Sequence, residues 1–219
     1  MNHRFLWAIF MITSMLLAGC ADDNKVNLFN GQDLGNWDKI LFDSIGDPDD
    51  VFKVEEGLIK VGGVPKGYIL TRDSYSNYKL HVEWRWPGEP ANSGVLLHCQ
   101  GVNHAGFPIC IEAQLANGKA GDFIMIGQGS GMSVGESTYL VGPDGKSKRS
   151  TKFEAISELA AGEWNEYDIT CSGTGIELIV NGVLQNVGFD AAFSAGRIAL
   201  QSEGGPVEFR NVYLVPIVE

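Results

Sequence analysis

The 219-residue chain carries 16 lysines and arginines against 27 aspartates and glutamates, a formal net charge of -11. That acidic balance excludes the electrostatic grip on phosphate that nucleic-acid binding needs, and it argues against adhesion to anionic membrane. With no Pro/Ser-rich linker or low-complexity tract to divide it, the chain fits one main domain, since single β-sandwiches run to ~200–250 residues.

The first residues are a short basic stretch with Arg4, then an uncharged apolar run from Phe5 to Leu17, then Leu17-Ala18-Gly19-Cys20. The run is too short to span a bilayer as a helix, which needs ~20 apolar residues, but it fits the core of a secretory signal peptide. Small residues followed at once by cysteine suit a lipoprotein signal peptidase, which cleaves after the thiol has been diacylated. Residues 1–19 are therefore expected to be a lipoprotein signal peptide, with Cys20 as the lipidation site and 20–25 as a polar tether. The domain would then span 26–219, lipid-anchored in a bacterial cell envelope, periplasmic or at the cell surface.

Beyond the tether, period-two alternation is frequent and helical periodicity is nearly absent. In Tyr78 to Trp86, the apolar Tyr78, Leu80, Val82, Trp84 and Trp86 alternate with Lys79, His81, Glu83 and Arg85. A strand with one apolar and one polar face belongs in an antiparallel sheet with one side on a core. Further strands are expected at 51–54, 58–61, 93–99, 109–115, 123–126, 167–171, 176–180, 183–187, 197–202 and 207–215. Asn181-Gly182 marks a tight hairpin between two of them, because a type I′ turn needs two residues at positive φ. Many short strands without intervening helices predict an all-β sandwich or jelly roll of two antiparallel sheets. Residues 127–155, rich in Gly, Ser and Lys, read as long loops with short strands.

If Cys20 is lipidated, Cys99, Cys110 and Cys171 remain, and three cysteines cannot all pair within one chain. Cys99 and Cys110 flank one loop; they either bridge adjacent strands or are buried as small apolar residues. Asp47-Pro48-Asp49-Asp50 lacks the spacing of a calcium loop and reads as a solvated turn. Trp84 and Trp86 fall in the apolar register, whereas Trp37 and Trp164 are the more open candidates for stacking on a sugar.

Two segments carry candidate chemistry. In Cys110-Ile111-Glu112-Ala113-Gln114-Leu115, Glu112 and Gln114 project from one face of a strand. A carboxylate beside an amide suits a sugar hydroxyl, a metal ion or acid/base work, or is simply a polar sheet face. In Asn92-Ser93-Gly94-Val95-Leu96-Leu97-His98, alternation puts Gly94, Leu96 and His98 on one face, and Gly94 lets a ligand or a neighbouring strand come close. His98 is then a general base, a metal ligand or a hydrogen-bonded imidazole. The zinc, Walker and dinucleotide motifs are all missing from the sequence.

Taken in order, six pieces of the chain resemble the 3-keto-disaccharide hydrolase domain family of bacterial lipoproteins and secreted proteins. They are Leu28-Phe29-Asn30-Gly31-Gln32-Asp33-Leu34 with Trp37, Asn92-Ser93-Gly94-Val95, and Ile111-Glu112-Ala113-Gln114. The others are Gly162-Glu163-Trp164-Asn165-Glu166-Tyr167, Val180-Asn181-Gly182, and Ile198 to Gly204 running into Val207 to Val212. The resemblance implies a concanavalin-like jelly roll acting on glycosides oxidised at the sugar C3. A ketone there acidifies the C2 hydrogen, so one base can start loss of the C1 substituent, provided that donors or a metal stabilise the enolate.

By the same resemblance Glu112 is expected as base or metal ligand and His98 as its partner, the two together forming a tentative divalent-metal pair. Gln114, Gln201, Asn92, Asp122 and Glu203 are expected to bind the carbohydrate. The chain departs from the commoner family pattern at His98, where many members carry Arg, and at Ile111, where an aromatic is usual. A non-catalytic carbohydrate-binding domain is the alternative.

Overall fold

The computed structural model describes residues 24–42, 45–102 and 106–218. The expected leader, Cys20 and the first part of the tether lie outside these residues.

Two eight-stranded antiparallel sheets dominate. The first runs, in spatial order, Val183–Gly188, Gly175–Val180, Asn165–Ser172, Tyr78–Arg85, Val207–Pro216, Leu58–Val61 and Phe52–Glu55, with Val26–Asn27 added on Val207–Pro216. The second runs Lys148–Ser150, Phe123–Ile126, Cys110–Gln114, Gly94–Cys99, Ala195–Ser202, Gly67–Thr71 and Trp37–Leu41, with Tyr75–Ser76 added on Ala195–Ser202. A hairpin of Gly131–Val134 and Ser137–Leu140 and the strand Lys148–Ser150 lie within the segment read as loops.

Alternation in the first sheet works as expected. Tyr78, Leu80, Val82 and Trp84 are buried between the sheets, where Trp84 packs on Tyr167 at 5.4 Å between ring centres. The opposite face holds the ion pairs Arg85–Glu208 and Arg210–Glu83, each at 2.6 Å. Asn181 and Gly182 both sit at positive φ, 50° and 77°, and close the predicted hairpin. The Asp47–Asp50 turn is a one-turn helix, Pro48–Val51, whose first turn is capped by the Asp47 carboxylate on Asp49 N.

Of the two candidate stacking tryptophans, Trp37 is closed off and Trp164 is half-buried. Trp37 is buried and its indole N–H donates to Leu28 O at 2.8 Å. The Trp164 ring carries the guanidinium carbons of Arg85 and Arg210 at 4.6 and 4.0 Å from its centre. Cys99, Cys110 and Cys171 are free, buried thiols.

The second sheet differs in being buried on both faces. Beyond the inter-sheet core, its outer face holds another apolar cluster of Tyr68, Leu70, Leu96, Cys99, Cys110, Ile126 and Ala199. Phe42 and Phe107 pack over this cluster, edge to face at 4.4 Å. For that reason Gly67–Thr71 is buried at every position and shows no alternation by which to recognise it.

Tyr167 ties the first sheet to the second. Its hydroxyl accepts from Gly121 N at 2.5 Å and donates to Gln114 O at 3.1 Å. Replacing it with phenylalanine leaves a buried N–H without an acceptor, a loss of about 1–3 kcal/mol. Urea unfolding of Tyr167→Phe is expected to show that loss, with faster amide exchange at Gly121; unchanged stability would refute the link.

Candidate functional site

A β-bulge decides which residues meet. Cys99 stands opposite Arg197 and Leu96 opposite Ala199, so Leu97 and His98 together face the single residue Ile198. His98 adopts φ 51°, and Gly196 makes room for it: a β-carbon there would lie 2.7 Å from His98 Cα. The extra residue reverses the side-chain alternation. Cys99 therefore joins Leu96 on the outer face, while His98 turns inward onto Tyr78, at 5.7 Å between ring centres.

This corrects the expectation that Gly94, Leu96 and His98 share a face. His98 Nδ1 bonds Phe193 O at 2.9 Å, Nε2 has no partner, and burial holds its pKa below the usual 6.5. Glu112 lies on the other side of the sheet, so the tentative metal pair of His98 and Glu112 does not assemble. No cluster of three or more His, Cys, Asp or Glu side chains fit to hold a metal ion occurs among the described residues.

Glu112 and Gln114 do share the outer face, as period two requires. In register, Leu96 stands opposite Glu112 and Gly94 opposite Gln114. The Glu112 side chain lies along the neighbouring strand over Gly94. A β-carbon at Gly94 would stand 2.9 Å from Glu112 Cγ and closer still to Oε1. Only glycine leaves that space.

Glu112 is 3 % exposed, and its Oε1 has no hydrogen-bond partner. Burial raises its pKa from 4.5 to about 8, and the charge of Glu203 pushes in the same direction.

Beside Glu112 stands a polar group built around Glu203. Asn92 Nδ2 donates to Glu203 Oε2 at 2.9 Å and Gln201 Nε2 donates to the same oxygen at 3.1 Å. The Lys66 ammonium pairs with Oε1. Asn92 Oδ1 and Gln201 Oε1 are buried and unpartnered. Gln114 is arranged the other way: its Oε1 accepts from Leu115 N and Ala116 N at 2.8 and 2.7 Å, leaving its amide N–H groups to face outward.

Asp122 lies near but serves the scaffold. It is buried, pairs with Arg149 and accepts from Lys152 N at 2.8 Å, so it fixes the loop and aims Arg149. Arg149 stands opposite Ile124, which stands opposite Glu112, and so belongs to the same row.

Tyr68 was not legible as a site residue. It pairs in register with Gln201, and its buried hydroxyl is unpartnered, with the pKa raised by burial to about 12. Its strand lacks alternation, so its face follows only from the pairing.

The Glu112 proton is linked to stability. The unfolded chain loses it near 4.5 and the folded chain near 8. Between those values the fold retains a proton that the unfolded state has released, so stability falls as pH rises and levels off above about 8. At 1.36 kcal/mol per unit, the fall is on the order of 5 kcal/mol. Glu112→Gln is expected to unfold at higher urea than the parent at pH 8.5 and at a similar concentration at pH 4.5. A difference independent of pH would refute the buried, protonated carboxyl.

The model of the 3-keto-alpha-glucoside-1,2-lyase-like domain matches residues 24–215. A candidate glycosyl hydrolase from Parabacteroides distasonis ATCC 8503 superposes with a TM-score of 0.65 at 23% identity, covering 89% of this chain and 94% of that one. A second from the same organism gives 0.61 at 20% identity, covering 88% and 99%. The β-glucanase of Bacillus licheniformis gives 0.57 at 14% identity, covering 88% and 97%. No curated protein matches significantly. The two sheets thus form a concanavalin-like jelly roll. With the match running from the first described strand into the last, the chain belongs to the 3-keto-alpha-glucoside-1,2-lyase-like domain family.

Proposed function

We propose that the protein cleaves glycosides already oxidised to a ketone at C3 of the sugar, with Glu112 as the base. The observation that carries this reading is that one carboxyl is free and the others are occupied. Glu203 holds two amides and a lysine, and Asp122 holds Arg149 and the loop. An ordinary glycosidase needs two carboxyl groups working across the scissile bond. A 3-keto-glycoside needs one base. The ionised Glu112 takes the C2 hydrogen as a proton, and the C–H electrons form the enolate. The enolate expels the C1 substituent as an alkoxide, which takes up a proton, and water then adds at C1. Family membership and the glycosyl hydrolases among the structural neighbours support action on a glycoside.

A base with a pKa of about 8 is stronger than a solvated carboxylate, and about a tenth of it is ionised at pH 7. The donor-facing amide of Gln114 suits the oxygen on which enolate charge develops.

Purified protein is expected to release free sugar from a 3-keto-disaccharide, assayed with and without added divalent metal ion, and not from the unoxidised disaccharide. The rate should rise with pH to a plateau above about 8, and Glu112→Gln should lower kcat by about 10²–10⁴-fold. Equal cleavage of both sugars, or full activity in Glu112→Gln, would overturn the mechanism. Binding of the disaccharide without release would favour a carbohydrate-binding domain.

We also propose that the domain is held at a bacterial envelope through acylated Cys20, from the Leu17-Ala18-Gly19-Cys20 segment behind an apolar run. Cys20→Ala should abolish labelling by a fatty-acid analogue and leave the protein unprocessed or soluble. Mature, membrane-bound Cys20→Ala would refute the anchor.

A further inference from the structure

We propose that Glu203 is the positioning residue of this site: by accepting N–H from both Asn92 and Gln201, it turns both amide oxygens toward the ligand and selects sugar hydroxyl groups there. The inference rests on the reading of Glu112 as the reacting group, and it assigns an orientation that this reading leaves open.

Glu203 accepts at both oxygens, from the Lys66 ammonium on Oε1 and from two amide N–H groups on Oε2. An amide that meets Glu203 must therefore present its NH₂ side. Asn92 and Gln201 both do, on the same oxygen at 2.9 and 3.1 Å. Their carbonyl oxygens are left buried without partners, as is Glu112 Oε1. Two amide acceptors in one region leave their desolvation uncompensated until donors arrive.

Asn92 and Glu203 also bridge through their backbones, so the contact is built into the end of two central strands. The ligand chemistry that satisfies this set is a ring with hydroxyl groups as donors. A ketone oxygen offers no donor and leaves these two amide oxygens unsatisfied. The opposite polarity stands across Gly94 at Gln114, where the oxygen is committed to backbone N–H groups and the amide N–H side faces outward. The site thus sorts the sugar by polarity, with hydroxyls toward Asn92 and Gln201 and the ketone toward Gln114.

The test is Glu203→Gln in the full chain, compared with Glu203→Asp. A glutamine at 203 can donate as well as accept, so both amides become free to turn over. Calorimetric titration with a 3-keto-disaccharide is expected to show about tenfold weaker binding in Glu203→Gln, roughly the loss of one or two hydrogen bonds. Glu203→Asp should recover part of the affinity. KM should rise more than kcat falls, and the activity inflection should move to lower pH as the charge beside Glu112 is removed. A merely structural role would not split KM from kcat in this way.

Unchanged affinity and an unchanged inflection in Glu203→Gln would overturn the assignment while leaving Glu112 as base. Weakened binding in Glu203→Gln, with a parent protein that binds the sugar and never turns it over, would support Glu203 and overturn the base. If the affinity loss merely tracks a lowered unfolding midpoint, Glu203 is part of the scaffold and the proposal fails.

Discussion

The site depends on a carboxyl group kept out of water with no cation to neutralise it. Glu112 reaches that position because Gly94 on the next strand has no side chain, so the carboxyl can lie flat along the sheet. Around it the sheet is covered on both faces, by the inter-sheet core below and by the Tyr68, Leu96 and Cys110 cluster above. Under those conditions the protonated form wins until about pH 8. A buried charge of this kind lowers stability, and a large, tightly packed sandwich can bear it. The fully buried Trp84, Tyr167, Phe123 and Phe209 provide that reserve.

The acidic residues nearby show how partners, not residue type, set chemistry. Glu112, Glu203 and Asp122 are all carboxylates near one stretch of sheet. Asp122 is locked by Arg149 and a backbone N–H, and Glu203 by Lys66 and two amides. Each of these is neutralised or fully engaged, which suits holding a shape. Glu112 has an oxygen with nothing to bond, which suits taking a proton. The fold analogy to a β-glucanase does not transfer a two-carboxylate mechanism, because likeness of architecture says nothing about which oxygen is free.

Much of this was legible before the structure. Alternation at Tyr78–Arg85 located the core, and Asn181-Gly182 located a hairpin. Glu112 and Gln114 fell on one face because their spacing has no bulge between them. His98 defeated the same rule: one inserted residue reversed its face, and nothing in Leu97-His98-Cys99 signals a bulge. Gly67–Thr71 was missed for a different reason, since a strand buried on both sides has no period to detect. Lost with it was Tyr68. Asp122 stands near the Glu112 row, but its pairing with Arg149 depends on a strand, Lys148–Ser150, that the sequence does not delimit within a stretch of long loops and short strands.

The segments that carry the family likeness divide by what they do. Asn30 caps its own turn by accepting from Gln32 N and Asp33 N, and Trp37 pins that turn through Leu28. Trp164 is clamped under two arginines, and the Asn181 side chain bridges Asn165, Ser157 and Glu166. These three segments place no polar group at the site; they close turns and fasten loops. The segments around Asn92–Gly94, Glu112–Gln114 and Gln201–Glu203 come instead from three adjacent strands of one sheet and converge on Glu112. Unpartnered buried oxygens gather among them, at Asn92, Glu112 and Gln201. On the proposed reading the three convergent segments are the working part of the molecule, and the free carboxyl of Glu112 is the group on which a ligand has most to gain.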